Sequence, residues 1–105
     1  MKYISFDDFF TVLGNKQRVK IVQLLEKEGP KSVSVISNKL DMEQSAVSHN
    51  MKRLLLCHFV EVKREGKERI YAINEDTIRP LLALIDKHVR TYCAKECSHW
   101  EYKYN

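Results

Sequence analysis

Gln44 to Leu56 contains no helix breaker, and at about 100° per residue it divides into two unlike sides. Val47, Met51, Leu54 and Leu55 fall together, so this helix has to lie on a core supplied by the rest of the chain. Gln44, Ser45, Ser48, His49 and Lys52 fall opposite. That side carries short hydrogen-bonding groups and one cation, the inventory that base edges and phosphates need, whereas a merely solvated face is usually dominated by Glu and Lys. Just upstream, Ser32 to Leu40 places Val33, Ile36 and Leu40 at helical spacing, and the polar break Asp41-Met42-Glu43 separates the two segments. The pattern predicts a helix, a tight turn and a helix.

The flanks supply the core. Ser5 is placed to cap a first helix through Leu13, with Asp7 and Asp8 at its positive end and Phe6, Phe9 and Phe10 available for burial. Gly14-Asn15 stops it, and Asn15 can cap a second helix from Lys16 to Glu28. In that helix Val19, Ile21, Val22, Leu24 and Leu25 make a broad apolar stripe and Lys16, Arg18 and Lys20 a basic face; Gly29-Pro30 ends it. After Leu56 the period changes to alternation. Phe59 to Val62 and Arg69 to Ile73 read as two strands joined by the charged, glycine-containing tip Lys63 to Glu68, a hairpin. Asn74 or Asp76 can cap a last helix, provided Pro80 lies in its first turn. Leu81, Leu82, Ile85, Val89 and Tyr92 then form a stripe along a helix with no breaker to about Tyr102. A domain this small has to bury such a stripe against a partner, so it reads as a dimer interface.

Composition narrows the partners without choosing one. At 105 residues the chain is expected to form a single domain spanning 1–105, in the size range where burial is marginal and dimerisation helps. Lys and Arg total 18 against 14 acidic residues, a mild excess that permits a polyanionic partner. Neither a membrane-spanning run nor a signal-peptide pattern is present, which points to the cytosol and to no membrane partner. Three cysteines, an odd number without framework spacing, read as reduced thiols.

The order helix, helix, helix, turn, helix, hairpin, helix is a winged helix-turn-helix: mainly α with a small β-hairpin (α+β), joined as a dimer through the terminal helices. Leu13 to Leu25, Gln44 to Leu55 and Val62 to Ile73 resemble, respectively, the second-helix signature, the recognition helix and the wing of the ArsR/SmtB family of small dimeric repressors. Asn50 and Met51 stand where that family commonly has a second His and a Leu. The resemblance implies double-stranded DNA as partner, bound as an inverted-repeat operator by a homodimer. By physical role, Gln44, Ser45, Ser48 and His49 are candidates for base-edge contacts and Lys52 for phosphate, with Arg53 beside the face. In the wing, Lys63, Arg64, Lys67 and Arg69 are candidates for phosphates or the minor groove.

The last helix carries the candidate sensing groups. Asp86, His88 and His99 resemble the site on the last helix of the family's metal sensors, with Tyr102 where the family has a fourth ligand and Glu101 or water left to complete the shell. His88 and His99 lie eleven positions apart. As continuous α-helix that is about three turns and roughly 16 Å, so only two antiparallel helices across a dyad could join them. Zn²⁺ or another divalent transition metal suits imidazole with carboxylate. Cys93 and Cys97, an i, i+4 pair, support an alternative: a thiol switch for oxidants, reactive sulfur or a thiophilic metal. The remaining possibility is that these groups only pack. Cys57, alone, reads as packing. No nucleophile with a base at recognisable spacing and no phosphate-cradling Gly loop occur, so an enzyme is not expected. A winged-helix protein-interaction module without DNA binding is the other class of reading.

Overall fold

Helix α1 (Phe6–Leu13) begins at a complete capping box in the computed structural model, which describes residues 5–93. Ser5 Oγ accepts the Asp8 N–H, and the Asp8 carboxylate accepts the Ser5 N–H. The Ser5 hydroxyl also donates to Asp7 at 2.6 Å, and this bond holds the Asp7 carboxyl below its usual range. The helix stops at Gly14, whose N–H closes on the Phe10 carbonyl at 2.7 Å; a Cβ there would sit 2.9 Å from that oxygen, so the close approach requires glycine.

Helix α2 (Lys16–Glu28) starts as expected at Asn15, whose side chain accepts the Arg18 N–H at 3.1 Å, and ends at Gly29. A two-residue strand follows that the sequence did not disclose: β1 (Lys31–Ser32) pairs antiparallel with β3 (Glu68–Ile73), which pairs on its other side with β2 (Val60–Glu65). The expected hairpin is therefore one side of a three-stranded sheet of order β1-β3-β2. Ser32 ends β1 and caps α3 (Val33–Leu40) by accepting the Val35 N–H.

The turn between α3 and α4 (Gln44–Leu56) is fixed by backbone rather than by packing. Asp41 takes the left-handed conformation at φ 53° and returns its N–H to the Ser37 carbonyl. Ser37, itself buried, donates its hydroxyl to the Met42 carbonyl while the Met42 N–H returns to Ser37 at 3.0 Å. Asp tolerates the left-handed region better than most residues because its short side chain bonds locally. At the far end of α4, His58 is left-handed at φ 58° and the Phe59 N–H reaches back to Leu54 at 2.9 Å, turning the chain into β2.

This first unit ends at Asn74. Its core is drawn from all four helices and the sheet: Val12 of α1, Ile21, Val22 and Leu25 of α2, Ile36 of α3, Val47, Met51 and Leu54 of α4, with Phe59, Val60 and Ile73, all sealed or nearly so. Of the three α1 phenylalanines only Phe9 turns inward, stacking on Phe59 with ring centroids 4.8 Å apart. Phe6 and Phe10 remain 85% and 63% exposed, against the expectation that all three could be buried.

The second unit begins at Glu75. Helix α5 (Ile78–His88) has Pro80 in its first turn, as expected, but its N-cap is Thr77 rather than Asn74 or Asp76. Glu75 clasps the Arg79 guanidinium with bonds of 2.6 and 3.0 Å. From Val89 to Cys93 the helix is π rather than α. Bonding i→i+5 instead of i→i+4, each residue there turns through a smaller angle, so the phase of a continuous α-helix is kept only as far as His88.

Candidate nucleic-acid interface

Helix α4 presents the face anticipated for it. Gln44, Ser45, Ser48, His49 and Lys52 are all exposed, while Val47, Met51 and Leu54 are 0–1% exposed. Arg53 is exposed as well, and so is Leu56 at the C-terminal end. The packed side orients the open side. With Val47, Met51 and Leu54 fixed against α2 and α3, the rotation of α4 about its axis has no freedom left, which is what a reading surface requires.

Asn50 lies on neither the open face nor the apolar stripe. It is 4% exposed and bonds to three groups: its Oδ1 accepts from Arg18 Nη1 at 3.2 Å, and its Nδ2 donates to Gln17 Oε1 at 3.0 Å and to the Ala46 carbonyl at 2.9 Å. Arg18 in turn donates Nε to the Val12 carbonyl at 2.7 Å. Arg18 was expected on the outer basic face of α2; it is drawn inward as the hub of a polar tie joining α1, α2 and α4. Position 50 is therefore closed off from the open face, and its side chain bears on how α4 is mounted rather than on that face.

The wing brings the other predicted cations together. Lys63, Arg64, Lys67 and Arg69 are all exposed. The loop is the two residues Gly66-Lys67, with positive φ (63°) at Gly66 alone, the pattern of a type II′ turn that needs glycine in that place. Register places Arg64 directly opposite Arg69 and Glu65 opposite Glu68. Like charges facing across a ladder destabilise a free hairpin. The register thus sets one cationic and one anionic pair side by side at the end of the wing.

The sensing candidates are only partly within the described residues; Cys97 and His99 lie outside them. Asp86 and His88 are exposed on α5. The Asp86 carboxylate is taken by Arg90 at 2.7 Å, and the His88 ring lies 5.1 Å from that of Tyr92. Among the described residues no three or more His, Cys, Asp or Glu gather as a metal shell. Asp86 and His88, at i and i+2 with one carboxylate already paired, do not make such a shell by themselves. Cys93 is half-buried in the π turn. Cys57 is half-buried at the end of α4, and burial pushes its thiol above the ordinary value. Alkylation by iodoacetamide at neutral pH, followed by mass spectrometry, is expected to modify Cys57 more slowly than an unhindered thiol does; equal rates would show that its burial does not protect it.

Comparison with known proteins agrees with this geometry. Residues 15–62 match the model of the bacterial regulatory protein, arsR family. An HTH-type transcriptional regulator of Methanocaldococcus jannaschii is 28% identical over 86 residues, 82% of this chain and 97% of the relative. The cadmium resistance transcriptional regulatory protein CadC of Listeria innocua is 31% identical over 80 residues, 76% of this chain and 67% of the relative. Among solved structures, the homodimeric winged helix-turn-helix DNA-binding domain of a possible ArsR-family regulator from Mycobacterium bovis superposes with a TM-score of 0.70 at 29% identity, covering 78% of this chain and 79% of that one. Among the described residues no helix is long and apolar enough to cross a membrane.

Proposed function

The chain belongs to the arsR family of bacterial regulatory proteins, DNA-binding transcriptional regulators with a winged helix-turn-helix and not enzymes, and on that premise we propose that it is a cytoplasmic homodimeric repressor of an inverted-repeat operator. The observation that carries the reading is the open face of α4: five polar side chains, Gln44, Ser45, Ser48, His49 and Lys52, all exposed on a helix whose opposite side is sealed. In this reading Gln44, Ser45, Ser48 and His49 meet base edges and Lys52 meets a phosphate. The wing residues Lys63, Arg64, Lys67 and Arg69 reach the flanking backbone or minor groove. The whole chain acts as one winged-helix domain with a terminal helix for pairing and sensing.

Lys52→Gln is expected to weaken duplex binding a few-fold whatever the sequence and to lower the slope of log K against log salt by about 1, since one phosphate contact is lost. Fluorescence anisotropy across a salt series reads both. Unchanged affinity and slope in Lys52→Gln and in Arg64→Gln would instead make the chain a winged-helix protein-interaction module.

For the effector we propose the C-terminal helix. A divalent metal such as Zn²⁺ would be held by Asp86, His88 and His99, a reading supported by the similarity to a cadmium resistance regulator. Bound there, it would neutralise carboxylate charge and tie the two terminal helices together. Asp86 has to leave Arg90 before it can serve as a ligand. That prior engagement favours the second reading, oxidation or thiophilic capture at Cys93 and Cys97. Release of DNA by Zn²⁺ that vanishes in His88→Ala supports the first; release by a thiol oxidant alone, lost in Cys93→Ala, supports the second.

A further inference from the structure

A cleft of about 440 Å³ opens between the start of α3, the middle of α4 and strand β3 of the wing, and its walls include Ser34, Ser48, Lys52, Glu68, Arg69 and Tyr71. Tyr71 is the unusual member. It is 5% exposed, yet its hydroxyl takes no hydrogen-bond partner from the described residues. Because no side-chain polar atom among the described residues is both sealed and unpaired, the phenol oxygen keeps access to solvent, and Tyr71 lines this cleft. A buried tyrosine usually satisfies its hydroxyl. Here the donor is left for something that enters.

The surroundings specify an anion. Lys52 comes from α4 and Arg69 from β3, both exposed at the cleft and neither in an ion pair among the described residues. The Ser34 and Ser48 hydroxyls add donors of free rotation. Ser32 caps the Val35 N–H of α3, and the earlier amides of that first turn have no helical carbonyl to take them, so the positive end of α3 also bears on the cleft. Glu68 opposes an anion from the rim, but its backbone position faces Glu65 at the wing tip. Donors converging from three elements match a group with several oxygens. Position then names the source: when a reading helix and a wing enter neighbouring grooves, the strand of backbone separating those grooves runs between them.

We propose that this cleft seats one DNA backbone phosphate, the one dividing the groove entered by α4 from that entered by the wing, gripped by Lys52, Arg69 and the Tyr71 hydroxyl. The proposal rests on the DNA-binding reading above and adds to it a contact made by a buried side chain. Its test uses the full chain and a random-sequence duplex, because phosphate contacts do not depend on sequence. Tyr71→Phe is expected to weaken duplex binding roughly tenfold, the scale of a hydrogen bond to a charged group, with the salt slope unchanged because no charge is lost. Arg69→Gln, at an exposed position that does not endanger the fold, is expected to lower the slope by about 1. Wild-type affinity in Tyr71→Phe overturns the proposal. So does weakened competition by inorganic phosphate in Tyr71→Phe with duplex affinity intact, which would assign the cleft to a small free phosphate compound. If Tyr71→Phe fails to fold, an unchanged slope in Arg69→Gln overturns it. Should the wild-type chain bind no duplex at all, the DNA reading itself falls, a result distinct from these.

Discussion

Aspartate in place of Leu84 or Ile85 on α5 is expected to leave the chain folded but monomeric, and to weaken binding to a two-half-site operator by roughly 10²- to 10⁴-fold, the advantage normally gained when the second half-site is engaged intramolecularly. The reason is the surface that α5 leaves open. Leu84 is 63% exposed, Ile85 39%, Val89 46% and Tyr92 62%, a run of large apolar side chains left open among the described residues. Phe6 and Phe10 on α1 present a second such surface. A carboxylate in the middle of an apolar seam has to be desolvated for two copies to meet, and it meets its own mate across a dyad. Sedimentation or light scattering reads the oligomeric state and anisotropy on an inverted-repeat duplex reads the affinity. A variant that stays dimeric with full affinity would move the interface elsewhere. Binding to a single half-site should change little, because the open face of α4 is untouched.

Asn50→Leu is the second large effect. It removes three hydrogen bonds from a side chain that is 4% exposed and takes away one partner of Arg18. The expected loss is about 1–3 kcal/mol of unfolding free energy by urea titration, a large share of what a small domain has in hand. DNA affinity should fall as well, although position 50 is not on the reading face, because α4 loses its tie to α2. Asn50→His sharpens the test. Beside the Arg18 guanidinium and largely buried, an imidazole favours its neutral form, so its folded pKa lies below the unfolded value of about 6.5. Stability would then be present above that pH and fall away below it, whereas the asparagine chain shows no such dependence from this position. Equal stability of Asn50→Leu and the parent would mean that the tie is ornamental.

Where local chemistry speaks, the sequence was legible to the residue. Ser5 and Asn15 are caps by type, Gly14 and Gly29 are stops, and α2 and α4 begin and end where those signals and the apolar period place them. The open face of α4 was legible for the same reason: a period of 3.6 sorts residues before any contact is known. Four features escaped. Strand β1 is two residues long, too short to show a period, and exists only because β3 has an edge to pair. The π turn at Val89–Cys93 has no signature in residue type, and the expected spacing of about three turns between His88 and His99 presupposed an unbroken α-helix. Asn50 did leave a trace. It lies three residues after Val47 and four before Leu54, both sealed, and that spacing puts a polar side chain inside. Tyr71 was hidden differently, since alternation in β3 predicts its burial but not that its hydroxyl would keep access to solvent.

The open face of α4 has a further consequence. The side chains of Gln44, Ser45 and His49 make no hydrogen bond or ion pair with the other described residues, while Asn50, Met51 and Leu54, a turn away, hold the helix in place. Substitutions at such exposed positions usually change stability by no more than about 0.5 kcal/mol. On the proposed reading, operator preference and foldedness are thus written in different letters of the same helix. Descendants of this gene can exchange the first set to address new promoters without renegotiating the second, which makes α4 a replaceable key on a fixed bow.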